Sequence, residues 1–244
     1  QSPIISDRII LKEGYPINTL YGYETEGIYQ SENEIHNHLK TFDRYGNVVN
    51  SYSGLIAQPG DIRFKDQNGD GIIDLDNDRV PLGNPFPDIT YSLTLACKWK
   101  DFDFTAFFQG VAGGEGWSMG ELVSPFYNSY NSASWMVNRW TLERPNNTYQ
   151  RVYIDNQRAD IRSAYYVEDM SYLRLKNIEV GYTIPVRWLH KIGLKGTRIF
   201  VSGQNLFTIT PYEGFDPERA GVNATNIYDY PLLKTYTFGI NITL

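Results

Sequence analysis

The chain is short of what several large protein classes are built on. Its 244 residues include one cysteine, Cys97, which excludes an internal disulfide and a zinc site made of cysteines. No apolar run approaches the ~18 residues of a membrane-spanning helix, so a helical membrane protein is excluded. Lys and Arg number 22 against 28 Asp and Glu, a net charge of −6. A chain this acidic offers no basic footprint for nucleic acid. There are three histidines, and no HExxH, phosphate loop or Ser/His/Asp arrangement is visible, so no enzyme is expected. Gln1-Ser2-Pro3 is not the charged opening of a secretion signal. Either a signal has been removed or the sequence is a piece of a longer one.

What is abundant is aromatic. The 19 Tyr, 12 Phe and 5 Trp make up 15% of the residues, a bias that reads as β-structure. The clearest periodicity is two. Over residues 88–100, Ile89, Tyr91, Leu93, Leu95, Cys97 and Trp99 alternate with Thr90, Ser92, Thr94, Ala96 and Lys98, giving one apolar and one polar face. After a tight turn at Lys100-Asp101, Phe102, Phe104, Ala106 and Phe108 continue the pattern, which predicts a hairpin. Strands are also predicted over 172–184, with a bulge near Lys176-Asn177, over 197–210, over 236–244 and, more weakly, over 17–28. That makes about six long strands.

The connections between them are unequal. Lys100-Asp101 is minimal and 185–196 is short, whereas 29–87, 111–170 and 211–230 are long and polar. Long and short alternate, so all the long ones fall at one end of the strands. Loops of such length are uncommon in compact domains. This asymmetry is the mark of an outer-membrane β-barrel, with short periplasmic turns and long extracellular loops. Trp99, Phe102, Tyr182 and Trp188 then gather near the inner membrane interface, where amphipathic rings are favoured. Three aromatic or aliphatic residues, Phe107, Phe200 and Leu206, run against this phase and fall on the polar face.

Two local patterns add to the strands. Residues 66–78 open as the D-x-[DN]-x-[DN]-G calcium loop. Asp66, Asn68 and Asp70 stand at positions one, three and five, Gly71 at six, and the Ile72 carbonyl at seven. Calcium takes six to eight oxygens. Position twelve is Asn77 rather than the usual glutamate, so Asp78 or Asp76 would have to close the loop, and Ca2+ would serve a structural role. The other pattern is a loop dense in rings, with Trp117, Phe126, Tyr127, Tyr130, Trp135 and Trp140 among Ser and Asn, a composition suited to sugars or a partner surface.

Several runs resemble the SusC/RagA family of TonB-dependent outer-membrane transporters. They are 59–71 (PGDIRFKDQNGDG), Gly83-Asn84-Pro85, 88–91, Phe107-Phe108-Gln109-Gly110, Asn138-Arg139-Trp140, 168–177 (EDMSYLRLKN), Gly203-Gln204-Asn205-Leu206-Phe207 and Tyr212-x-Gly214-x-Asp216-Pro217. Residues 237–244 (Thr237-x-Gly239-x-x-Ile242-x-Leu244) also fit the C-terminal signal of barrel assembly. The whole chain, 1–244, looks like the C-terminal part of such a barrel, with the calcium-like loop 66–78 in an extracellular loop. The resemblance implies a 22-stranded barrel in the bacterial outer membrane with an N-terminal plug, a SusD-like surface lipoprotein over its mouth, and energy from TonB. Its cargo would be oligosaccharides or peptides. Six strands cannot close a barrel of that size, and open edges cannot be satisfied in lipid. The expectation is therefore a segment of a larger barrel facing the lipid bilayer, completed by further polypeptide. The competing reading is a secreted, calcium-stabilised β-sandwich that binds carbohydrate.

Overall fold

In a computed structural model of the chain, residues 3–6, 8–49, 54–118, 134–153, 162–189, 193–218 and 230–243 are described. The chain divides into two compact units, Gln1–Phe86 with Glu115–Glu168 and Ala220–Asp229, and Pro87–Gly114 with Asp169–Arg219 and Tyr230–Leu244.

The first unit holds short elements around a mixed apolar core. Strands β1 (Ile4–Ile5), β2 (Ile9–Leu11), β3 (Thr19–Tyr23) and β6 (Arg79–Gly83) form one sheet in that order, and β4 (Thr25–Ile28) pairs with β5 (Ile62–Phe64). Helix α1 (Glu32–His38) starts at Ser31, whose hydroxyl accepts the Glu34 N–H at 3.3 Å. The Glu34 carboxylate reaches back to the Gln30 N–H at 2.8 Å, so orphan amides at the helix start are satisfied from both sides. Leu20, Tyr23, Ile35, Leu39, Phe64 and Ile73 meet in the core.

The segment 17–28 is thus not a long barrel strand. All five residues of β3 are buried, whereas a wall strand keeps one face open. Asn18 and Gly27 take φ of 61° and 118° and break the extended run on either side of it. Gly22 lies so close to the Arg162 carbonyl that a Cβ would overlap it.

The second unit is a single antiparallel sheet of long strands, in the order β14 (Thr235–Thr243), β12 (Gly196–Gln204), β11 (Tyr172–Ile184), β8 (Phe102–Ala112) and β7 (Ile89–Trp99). Its short connections are Lys100-Asp101, with Lys100 at φ 55°, and 185–195, which carries helix α2 (Val186–Leu189). The bulge forms between Leu175 and Asn177, as the alternation predicts. The strand expected over 197–210 divides at Asn205 (φ 52°) into β12 and β13 (Thr208–Ile209), and both pair with β11, on either side of the bulge. β9 (Glu115–Trp117) and β10 (Val167–Asp169) pair within the long connection between β8 and β11.

One titratable contact of the first unit lies at the end of α1. The Tyr29 hydroxyl and His38 Nδ1 are 2.5 Å apart. Burial, reinforced by the nearby Arg63 charge, holds the imidazole below its ordinary pKa. A base depressed by folding takes up its proton more readily when unfolded, so its contribution is present above the ordinary histidine pKa and is lost as pH falls below it. Hydrogen exchange at the Leu39 amide, bonded to the Ile35 carbonyl at 2.8 Å, is expected to lose protection between pH 7 and 5. His38→Gln is expected to flatten that dependence, and an unchanged slope in the variant would contradict this account.

Candidate functional site

Register aligns the long strands so that every second row across the sheet is apolar. Trp99, Phe102, Tyr182, Ile199 and Ile240 form one row. Cys97, Phe104, Val180, Val201 and Phe238 form the next, and Leu95, Ala106, Ile178, Gly203 and Tyr236 the one after it. Cross-strand neighbours of this kind are the stabilising unit of a sheet. This face is open: Leu93 is 54% exposed, Trp99 65% and Phe238 67%. A dozen such side chains, half exposed at ~150–250 Å² for each large ring, give on the order of 1,000 Å² of apolar surface. A soluble monomer seldom shows more than a few hundred.

Alternate rows carry the polar face. Thr94, Phe107, Asn177, Gln204 and Thr235 align, as do Ala96, Thr105, Glu179, Ser202 and Thr237. Arg198 on β12 lies across Gly181 of β11, where a Cβ would overlap its guanidinium. From there it donates to Asp103 on β8, with Nε to Oδ1 at 3.0 Å and a second bond from Nη2, and to Glu179 at 2.6 Å. One guanidinium thereby ties three strands. Phe200, on the polar face as its position predicts, folds over Gly239 directly opposite, and Arg198 stands 5.2 Å from its ring centre. On the apolar face Tyr91 covers Gly110 in the same manner and donates to the Tyr172 carbonyl at 3.3 Å. Each ring protects a backbone that its glycine leaves bare.

A buried ion pair joins β11 to the long connection after β13. Arg174 and Asp216 have side chains 4% exposed and meet at 2.6 Å. Arg174 also donates to Thr208 and Glu218, both at 2.8 Å, and Lys176 binds Glu218 at 2.5 Å. Burial pushes the Asp216 carboxyl up. The Arg174 bond and the backbone N–H groups of Leu232 and Glu218 outweigh it and leave the group below the usual carboxylate range. Spacing along the chain could not have shown this pair, since 42 residues separate its members.

The first unit holds a cavity of about 780 Å³, lined by Glu32, His36, Asn47, Gln58, Arg139 and Arg151 over apolar Val48, Ala57 and Leu142. The two described rings of the aromatic loop are spent on packing. Trp117 is 1% exposed, and Trp140 is buried with its N–H on Gln30 at 2.9 Å. Phe126, Tyr127 and Tyr130 lie outside the described residues, as do His190 and Leu244 and the side chain of Trp135.

The turn 66–78 is closed by its own hydrogen bonds. Asp66 accepts the N–H groups of Gly69 and Gly71, both at 2.6 Å, and Asp70 that of Ile72 at 2.7 Å. Asn68 accepts the Asp70 N–H at 3.1 Å. Asp78, fully buried, accepts from Gln67 and Asp74. The Asn68 and Asp70 bonds, each to the N–H two residues on, are Asx turns. Lys40 lies over Gly71 (φ 85°) and donates to the Asp70 carbonyl at 3.1 Å. Burial raises the Asp66 carboxyl, and the N–H bonds, led by Gly71 and Gly69, bring it below its ordinary value. Among the described residues no group of three or more His, Cys, Asp or Glu is gathered to hold a metal ion.

With this geometry in place, comparisons give the chain its relatives. It is 37% identical over 245 aligned residues, 96% of its length, to TonB-dependent receptor P3 of Formosa agariphila. It is 30% identical over 97% of its length to TonB-dependent receptor P26 of that organism, and 29% identical over 76% to TonB-dependent receptor SusC of Bacteroides thetaiotaomicron. It spans about a quarter or less of each, 23%, 23% and 18%. No family model matches. Among solved structures it is similar to the RagAB peptide transporter, with a TM-score of 0.70 at 22% identity over 98% of the chain and 24% of that one. The RagAB peptide importer in its open-open state gives 0.67 at 24% identity, over 96% and 23%. These likenesses establish the fold.

Breaking a buried ion pair by removing one partner costs about 3–5 kcal/mol. Asp216→Ala is expected to free the 210–218 segment, read as faster amide exchange at Leu232 and a lower Tm. The apolar pair Arg174→Met with Asp216→Leu is expected to recover most of the loss. Wild-type melting in Asp216→Ala would refute the assignment.

Proposed function

We propose, from a chain that is a segment of SusC/RagA-type TonB-dependent receptors, that it builds part of the wall of an outer-membrane β-barrel that imports large nutrients. The observation that carries this is the sheet's open apolar face, aligned row by row over β7, β8, β11, β12 and β14 and backed by a polar face. Strands of 9 to 13 residues are long enough to cross, since ~9–11 tilted residues span the hydrocarbon. Among the described residues, β7 pairs only with β8 and β14 only with β12. Lipid tolerates no open edge, so further strands complete the barrel on both sides. The apolar face meets lipid and the polar face the lumen. The short connections face the periplasm and the long ones the outside.

The receptor relatives and the importer-like fold support a transport role without catalysis. The cargo we infer is peptide or oligosaccharide, after the peptide importer this chain resembles in fold. A SusD-like lipoprotein at the outer mouth, and a plug engaged by TonB, would complete the assembly. A secreted sandwich would need the Ile89–Trp99 stripe under a second layer, and all of that strand is exposed.

A structural Ca2+ on the turn 66–78 belongs to this proposal. Asp66, Asn68, Asp70, the Ile72 carbonyl and Asp78 would be its donors, supported by the motif; the three aspartates are not gathered into one cluster, so the ion would have to draw them together. Carboxylate oxygens that already accept an N–H keep a second lone pair for a cation.

Two outcomes test the reading. Leu95→Arg places a charge on the lipid face, at ~2–4 kcal/mol near the midplane, and is expected to abolish barrel assembly in the complete receptor. Thr94→Arg, one residue away on the polar face, is expected to assemble normally. Equal behaviour of the two would overturn the orientation. Separately, millimolar calcium is expected to raise the Tm by several degrees and Asp66→Ala to abolish the rise; no rise in the wild type removes calcium from the account.

A further inference from the structure

The rim of the sheet that carries the short connections differs in charge from the rest of the chain. Lys100 sits in the β7–β8 turn with its ammonium 4.7 Å from the centre of the Trp99 ring. That turn is tied to β11, since the Thr183 N–H donates to the Asp101 carbonyl at 2.8 Å. β11 leads at once into α2, where Arg187 stands 5.8 Å from the centre of the Trp188 ring. Lys195 stands just before β12 at the same rim, its N–H on the Thr243 carbonyl at 3.0 Å. Lys100, Arg187 and Lys195 are all exposed. Of the acidic groups facing them, Asp103 is held by Arg198, and Asp101 lies in the turn itself. In a chain with net charge −6, this rim sets three exposed cations beside two exposed tryptophans, Trp99 at 65% and Trp188 at 60%. Phe102 and Tyr182, 4.7 Å apart between ring centres, continue the row from Trp99 across β8 and β11.

We infer that this rim is a binding site for an anionic phospholipid of the periplasmic leaflet, with the headgroup on Lys100, Arg187 and Lys195 and the acyl chains running past the Trp99–Phe102–Tyr182 row onto the apolar face beyond it. The inference rests on the proposed orientation of the sheet in lipid. Cations and rings side by side match a phospholipid in order. The ring stands at the headgroup level, and its neighbouring ammonium or guanidinium reaches the phosphate. A net negative headgroup gains more from three cations than a zwitterionic one, whose own ammonium offsets them. A protein partner would more commonly find the buried aromatic core and polar rim of an interface; here the rings form a line at one height.

The test uses the complete receptor in a phosphate-free maltoside detergent, titrated with phosphatidylglycerol or with phosphatidylcholine of the same acyl chains and read by native mass spectrometry. Phosphatidylglycerol is expected to be retained at several-fold higher occupancy. The triple variant Lys100→Glu, Arg187→Glu, Lys195→Glu is expected to bring the ratio to about one. Lys100→Gln, Arg187→Gln, Lys195→Gln keeps the test readable if the reversed charges prevent assembly, and is expected to lower the ratio. Equal retention of both lipids by the wild type, or a preference that survives the glutamine variant, overturns the site and leaves the barrel reading standing. A receptor that stays monodisperse without detergent would instead overturn the barrel reading.

Discussion

Within hydrocarbon a backbone amide has no water to turn to, and on the proposed reading the long-stranded sheet is organised around that constraint. β8, β11 and β12 satisfy their N–H and C=O groups laterally on both sides, and β7 and β14 do so on the side that is paired among the described residues, so side chains are free to take opposite characters on the two faces. Period-two alternation then becomes a spatial sorting: rows such as Cys97–Phe104–Val180–Val201–Phe238 on one side, Ala96–Thr105–Glu179–Ser202–Thr237 on the other. A slip of one residue in any strand would interleave the two. Register is therefore what the remaining interactions must protect.

They do so mostly from the polar face. Arg198 clamps β8, β11 and β12 through Asp103 and Glu179, and only a residue without a Cβ at position 181 leaves it room to cross. Arg174 fixes the bulged part of β11 to β13 and to the connection that follows. A charge pair at the surface contributes little. The Arg174–Asp216 pair is different: almost sealed from solvent, each charge would be costly alone, so the connection is held in one place. Tyr91 over Gly110 and Phe200 over Gly239 act on a smaller scale, each pinning one position of one strand pair to its partner.

Much of this was legible in the residues. The hairpin about Lys100-Asp101, the bulge near Lys176-Asn177 and the presence of a last strand, which starts one residue before the expected Tyr236, follow from alternation alone, because the faces of a half-buried sheet write themselves into every second residue. The segment 17–28 misled for a physical reason. β3 is buried on both sides, and a strand without a polar face carries no alternation to distinguish wall from core. The motifs at 168–177 and 212–217 were visible as family runs, yet their meaning, Arg174 seeking Asp216, is a tertiary contact between segments 42 residues apart. By their spacing alone the aspartates of 66–78 suit a cation. Their described geometry adds what a pattern cannot show, a series of carboxylate-to-N–H bonds that shapes the turn.

The central claim is that the two faces of β7 meet different media. The native Cys97, exposed on the apolar face, gives direct access to it. Nitroxide labels placed one at a time at positions 89 to 99 of the complete receptor in lipid bilayers, with Cys97→Ser as background for the others, report collision with oxygen and with a water-soluble nickel chelate. The account predicts a strict two-residue alternation, with oxygen dominant at 91, 93, 95 and 97 and nickel dominant at 92, 94 and 96. A flat profile, or labels at the odd positions reached by neither reagent, would contradict it.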